Sequence, residues 1–323
     1  MSEGTLRSEE PADPEFDHPA LLYQGLDAYL DGVGSFVRAG LEAGEPVLVA
    51  VPRPRLGPLR ERLGDTAGAV DFADMAELGR NPGRILAALR EFADRHTTGR
   101  SRLVGEPIWP QRSPAEVREA TRHEALINLA FRRRPVSILC PYDTAGLAPR
   151  VVEDARRTHP TMLQGGKRCT SVGYTAPAQV CADCDTALPQ PQRFQRLGFT
   201  AGELAAVRGW LDHRLAASGL DRGRRRDLVL AVGEATGNSV AHGGGGGELR
   251  VWSEGGAVVA EVRDSGRLGD LLAGRRRPGL ASAEGGRGLW MIHQLCDLVE
   301  VRAGHDGLVL RMHMDIGPAA ARS

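Results

Sequence analysis

Glu234, Asn238 and His242 stand four residues apart in GEATGNSVAH, so on a helix a carboxylate, an amide and an imidazole share one face. Further on, Asp264 closes an apolar run and precedes Ser265-Gly266, and EGGRGLW sets Gly285, Gly286 and Gly288 just before a helical pattern. Each residue type suits one part of a nucleotide. A carboxylate at a strand end accepts from the adenine amino group. The Asn238 oxygen suits a hard Mg²⁺ ion, which keeps several waters and binds phosphates. Glycines at a helix start let backbone N–H groups and the positive dipole end approach phosphate. Glu234, one turn from the metal ligand, is placed to take a proton from an attacking hydroxyl. Singly, Asp-x-Gly is a turn, GGxG a loop and a polar stripe a solvated face. Their order along the chain is what points to Mg-ATP.

Composition closes other routes to a nucleotide. Among 41 basic residues only Lys167 is a lysine. A P-loop needs its lysine in GxxxxGK[ST], but Thr161 stands where the first glycine belongs and Arg168 replaces the hydroxyl residue. A protein kinase of the ordinary kind needs a strand lysine, and there is no such stretch. Net charge is zero, which argues against direct nucleic-acid binding. No apolar run approaches the roughly 18 residues of a membrane helix. The first residues, MSEGTLRSEEPADPEF, read as a polar tail rather than a signal peptide. The expected location is therefore cytoplasmic, and five cysteines there do not make a disulfide framework.

The elements that must position these residues fall into two blocks. Between 18 and 160, helical patterns at 25–44, 82–96 and 113–134 alternate with apolar strands at 45–52, 68–75, 101–107 and 135–143. That alternation predicts a mostly parallel sheet with helical crossovers. Asn81 before Pro82 and Ser113 before Pro114 are helix-start signals. Residues 161–196 break the rhythm with glycine, proline and glutamine and are expected to be a linker that proteases cut. From 197 to 316 the order becomes helices at 200–219 and 222–242, a hairpin at 248–254 and 257–264, a glycine-rich loop, a helix at 287–297, and strands at 298–303 and 308–314. This predicts an α+β two-layer unit, with Val229, Val232, Ala235 and Ser239 or Val240 as the buried face of the second helix. Glycines 243–247 read as a hinge-like loop before a strand, not as phosphate ligands. Residues 1–17 and 317–323 are expected to be tails.

On these residues, 197–316 resembles the GHKL ATPase superfamily and, within it, the bacterial anti-sigma-factor serine kinases. GEATGNSVAH is similar to their N box, RDSG to the next box with Asp264 as adenine ligand, and GGRGLW to the last glycine box. The resemblance implies a Bergerat-type fold binding ATP and Mg²⁺. It implies Glu234 as the catalytic base, Asn238 as the Mg²⁺ ligand, and His242, Asp264, Gly266, Gly286, Arg287, Gly288 and Leu289 around the nucleotide. It further implies a serine/threonine protein kinase that holds a sigma factor and phosphorylates a STAS-type antagonist; a homodimer is compatible with this. Residues 18–160 resemble the MEDS sensory domain through HPALLY, GEPIW, RHEALIN and CPYD. That implies a RecA-like α/β fold without a phosphate loop, sensing an unidentified small ligand. Two departures bear on affinity. Leu268 stands where the second box carries a second glycine, and Leu308 and Val309 occupy the stretch where a threonine usually supports the adenine-binding Asp. These departures keep open a non-catalytic module that acts by docking.

Other signals carry less. His123-Glu124 is similar to a histidine-kinase phosphoacceptor but lacks its proline and lies in the parallel α/β block. Cys181 and Cys184, with Cys169 and His159, could hold zinc; equally, CxxC could be a redox pair or plain linker cysteines. His18, His123, Cys140 and His159 either line a ligand pocket or are structural.

Overall fold

The protein was analysed as a computed structural model, which describes residues 16–279, 287–304 and 307–317. In the first block the chain runs β1 (Phe16–Asp17), β2 (Pro19–Tyr23), α1 (Leu26–Glu42), β3 (Val47–Val51), α2 (Arg53–Leu63), β4 (Val70–Asp74), α3 (Met75–Leu78), α4 (Pro82–Arg95), β5 (Ser101–Gly105), α5 (Pro114–Ala130), β6 (Val136–Asp143) and α6 (Pro149–Thr158). It continues through β7 (Thr161–Gln164), β8 (Lys167–Thr170) and α7 (Pro177–Cys184). The sheet order is β4-β3-β5-β6-β2-β7-β8, with β1 beside β6, and every pairing except β7–β8 is parallel.

Parallel strands need crossovers, and the helices supply them on both faces. One face carries Tyr29, Val33 and Val37 of α1 with Leu59 and Leu63 of α2. The other carries α4, α5, α6 and α7 through Leu86, Leu89, Leu126, Val151 and Cys181. Hence β2 and β3 are buried at every position, which is why they read as continuous apolar runs. The helix starts are as the sequence predicts: Asn81 accepts from the Gly83 N–H, and Ser113 and Glu116 form a reciprocal capping box.

The second block begins with β9 (Gln195–Thr200), followed by α8 (Leu204–Leu215), α9 (Arg222–His242), β10 (Gly246–Glu254), β11 (Ala257–Asp264), α10 (Arg287–Leu295), β12 (Leu298–Gly304) and β13 (Gly307–Asp315). Its strands form an antiparallel sheet in the order β12-β13-β11-β10-β9. One face packs on the helices through Leu211, Leu228, Val232, Leu249, Ala260, Ile292 and Met312. The opposite face carries a row of charges, Arg250, Glu261, Arg311 and Glu300, paired across four strands in alternating sign. So the architecture is a mostly parallel α/β unit followed by a separate antiparallel sheet with helices, as expected.

Residues 161–196 differ from the expected aperiodic linker. β7 extends the first sheet by pairing with β2, β8 folds back on it, and α7 buries Val180, Cys181 and Cys184. These elements escape a periodicity search because β8 is exposed at all four positions and β9 buries only Phe199. The connecting chain then crosses the charged face of the second sheet. There the Thr186 carbonyl accepts from Arg302 at 3.1 Å, and the Pro189 carbonyl accepts from Arg311 at 2.8 Å. α2, with Pro58 inside it and two buried leucines, was likewise not legible.

Candidate functional site

α9 spans the expected residues because Asp221 caps it, accepting from Gly223 and Arg224 N–H at 2.7 and 2.9 Å. Its buried face is Leu228, Ala231, Val232, Ala235, Thr236 and Ser239, while Val229 and Val240 are only partly buried against the core. Glu234 and Asn238 are half-buried and His242 is exposed. The start of α10 lies directly on the pair. A β-carbon on Gly288 would sit 2.9 Å from Glu234 Oε2 and 3.2 Å from Asn238 Nδ2. Glycine lets the start of α10 lie against a carboxylate and an amide without either side chain having to shift.

Asp264 ends β11 beside them. Ser239 Oγ donates to its Oδ2 at 2.5 Å, and the Gly266 N–H donates to its Oδ1 at 2.7 Å. The glycine run is shaped by this carboxylate. A β-carbon on Gly243 would meet Asp264 Cγ at 2.5 Å, and one on Gly244 would meet Ser265 Oγ at 2.4 Å. Gly246 and Gly247 belong to β10, pairing with Thr200 and Phe199. Close packing explains four of the five glycines; Gly245 meets nothing within 4 Å but has a φ of +91°, a conformation that favours glycine. Of the remaining expected nucleotide residues, Arg287 is exposed, with Nη2 3.5 Å from the Gly279 carbonyl. Leu289 packs on Gly274, and Gly286 lies outside the described residues.

The donor set fits a nucleotide with its metal. Gly288 forms a cradle that any β-carbon would fill, Asn238 offers an amide oxygen, and Asp264 is anchored through both oxygens. Ser239 was not read as functional from the sequence, where it counts as core. The available signal was a hydroxyl on the buried stripe, which must find a partner.

The far end of α10 rests on the first block. Asn81 Nδ2 donates to the carbonyls of His293 and Cys296 at 3.0 and 3.4 Å, and Arg80 pairs with Asp297 at 3.1 Å. Gly83 meets the fully buried His293 ring so closely that a β-carbon would stand 2.0 Å from Nδ1. Nearby, buried Glu119 of α5 accepts from Arg302 at 2.6 Å and Arg275 at 3.0 Å, with Arg122 Nε at 3.5 Å. Burial pulls the Arg275 guanidinium below its ordinary value, and Glu119 opposes that.

The cysteine candidates are not gathered into a ligand set. Cys169 is exposed on β8, while Cys181 and Cys184 are buried in the core of the first block. Burial raises the Cys184 thiol to about 11, the wrong direction for a reactive pair. His123 is buried, and desolvation pushes it down to about 3. A cleft of about 530 Å³ opens between α5, α6 and α7, lined by Trp109, Arg112, Arg118, Asp154 and Arg157.

No described helix is long and apolar enough to cross a membrane. No curated protein gives a significant match to the chain. Among solved structures, the RsbU and RsbW domains of Rv1364c from Mycobacterium tuberculosis are similar at 24% identity and a TM-score of 0.28, over 39% of this chain. That similarity spans 33% of the other chain, about a third of its length. Two family matches cover most of the sequence: residues 17–160 match the methanogen/methylotroph DcmR sensory (MEDS) domain, and 199–314 match the histidine kinase-like ATPase domain. The chain therefore joins an N-terminal MEDS domain to a C-terminal histidine kinase-like ATPase domain.

Proposed function

We propose that the protein is a cytoplasmic anti-sigma kinase whose ATPase domain binds Mg-ATP, holds a sigma factor and phosphorylates a STAS-type antagonist under control of the MEDS domain. The observation that carries this reading is the meeting of Glu234 and Asn238 with the N-terminus of α10 at Gly288, beside an anchored Asp264. Bound Mg-ATP supplies the phosphoryl group and the charge that neutralises it. Asp264 would accept from the adenine amine, Asn238 would give its oxygen to the metal, and N–H groups at the start of α10 would face the phosphates. Glu234 would orient the attacking serine or threonine hydroxyl and take its proton, since phosphoryl transfer depends chiefly on positioning and electrostatics.

Sensory control is supported by the docking of α10. The helix that faces Glu234 at one end is gripped at its other end by Asn81 and Gly83 of the MEDS domain. A ligand in the 530 Å³ cleft would act next to α5, which carries Glu119.

The test is incubation of the full chain with radiolabelled ATP and the STAS-type antagonist encoded by the same organism. Label on the antagonist, acid-stable as a serine or threonine ester, supports the kinase. A second reading, partner docking without phosphoryl transfer, is favoured by Leu268, Leu308 and Val309 at positions where the resemblance implies glycine and threonine. ATP binding with no label on the antagonist would establish that reading instead.

A further inference from the structure

Four buried side chains from four parts of the MEDS domain converge on one point: His18 just before β2, Glu124 on α5, Cys140 on β6 and His159 after α6. One ligand atom of each lies within 4.8 Å of all the others, and none of the four residues is more than 1% exposed. His18 Nε2 is 3.2 Å from Glu124 Oε2 and 3.5 Å from Cys140 Sγ, and His159 Nε2 is 3.3 Å from the same carboxylate oxygen. A tetrahedral ion with bonds of about 2.0 Å to nitrogen and 2.3 Å to sulfur sets its donors roughly 3.3–3.6 Å apart.

The surrounding hydrogen bonds fix which ring nitrogens face inward. Asn128 Nδ2 donates to the Thr158 carbonyl at 2.8 Å, so its Oδ1 accepts from His18 Nδ1–H at 3.1 Å. His159 Nδ1 lies 2.8 Å from the Ala155 carbonyl, which can only accept, so this nitrogen too carries the proton. Both Nε2 atoms therefore turn bare lone pairs toward the Glu124 carboxylate. The Cys140 thiol and the Tyr142 hydroxyl offer one proton each, too few for the carboxylate and both ring nitrogens. Outer N–H groups held by an amide and a carbonyl are the usual support of metal-bound histidine.

Charging one ring would balance Glu124 but leave the other Nε2 lone pair facing the same carboxylate oxygen. Charging both would set two imidazolium ions 4.1 Å apart, centroid to centroid, against one carboxylate. A divalent ion with the Glu124 carboxylate and the Cys140 thiolate is neutral overall. We propose that His18, Glu124, Cys140 and His159 bind a divalent first-row transition metal ion, with zinc the ion whose tetrahedral preference fits. All four positions are filled by protein, as in a structural site. The ion ties the central strands β2 and β6 to α5 and α6. The site goes beyond the ATPase reading and does not depend on it.

The test uses the full-length protein, stripped with a chelator and titrated with Zn²⁺ or Co²⁺. Wild type should take up about one ion per chain and gain thermal stability with Zn²⁺. With Co²⁺ it should show tetrahedral d–d bands and a thiolate-to-cobalt charge-transfer band. Cys140→Ser should lose the charge-transfer band with an unchanged far-ultraviolet circular dichroism spectrum, while the Cys181→Ser/Cys184→Ser double variant should keep it. No ion uptake and no Zn²⁺-dependent stabilisation of wild type would overturn the proposal. So would a charge-transfer band that survives Cys140→Ser or vanishes with Cys181 and Cys184.

Discussion

Ser239 on α9 donates its hydroxyl to Asp264 at the end of β11 at 2.5 Å, tying the helix with the Glu/Asn pair to the expected adenine ligand. A hydroxyl that Leu308 and Val309 cannot supply from β13 is thus given by α9. A hydrogen bond to a charged group contributes about 1.5–3 kcal/mol. Ser239→Ala, which keeps the buried volume, should therefore weaken ATP binding roughly ten- to a hundredfold in calorimetry. Unchanged affinity would show that Asp264 does not need Ser239 to meet a nucleotide.

Glu119 is the only carboxylate that contacts both Arg275 and Arg302 in the structure among the described residues, and it is fully buried. Removing one partner from a buried ionic group typically costs about 3–5 kcal/mol because the remaining charge is uncompensated. Glu119→Gln should lower the thermal midpoint and open the chain near 185–190, where Thr186 and Pro189 are held against the second sheet. Limited proteolysis checks this. Wild type should resist cleavage there, and the variant should yield two fragments. Equal cutting of both would mean that Glu119 does not hold the connecting chain against the second sheet.

The protein should also show a pH dependence traceable to one carboxyl group. Glu106, after β5, accepts from the hydroxyls of Tyr29 at 3.1 Å and Tyr23 at 3.3 Å. Burial raises its pKa from 4.5 to about 7, and Arg55 and the two hydroxyls only partly offset this. The folded state thus holds a proton that the unfolded chain has released. The resulting stabilisation is complete below pH 4.5 and fades as pH rises toward 7. Each pH unit in that window is worth about 1.4 kcal/mol. Glu106→Gln cannot titrate, so the stability of wild type relative to the variant should fall between pH 4.5 and 7 in denaturant titrations. A constant difference would mean that Glu106 titrates normally.

How far the sequence reveals all this depends on what each segment buries. β2, β3 and β6 are covered on both faces, so their apolar runs are unmistakable, and Asn81 and Ser113 mark helix starts through local capping. β8 and β9 are edge strands with almost no buried side chains, and their backbone pairing leaves no pattern. The residues proposed to meet a nucleotide stand out in the sequence because their types and order are local. The support from Ser239 was not, because it spans 25 positions. The His18, Glu124, Cys140 and His159 cluster has no local spacing at all; the parallel sheet alone brings those residues together.

The two readings of function part at Glu234. The Glu234 carboxylate lies beside the start of α10, where a β-carbon on Gly288 would stand 2.9 Å from Oε2 and push it aside. Glu234→Gln preserves that shape and removes only the negative charge. A general base typically contributes about 10²–10⁴-fold in rate. If the protein is a kinase, the variant should bind ATP about as tightly as wild type while phosphate transfer to the antagonist falls by that factor. If it acts by docking alone, neither protein transfers label, and both hold the sigma factor equally. Transfer by wild type at a rate unchanged in Glu234→Gln would remove the base from Glu234 while leaving the nucleotide site standing. Gly288→Ala separates binding from chemistry in the other direction. Its β-carbon would crowd both Glu234 and Asn238, so nucleotide affinity should fall together with the rate.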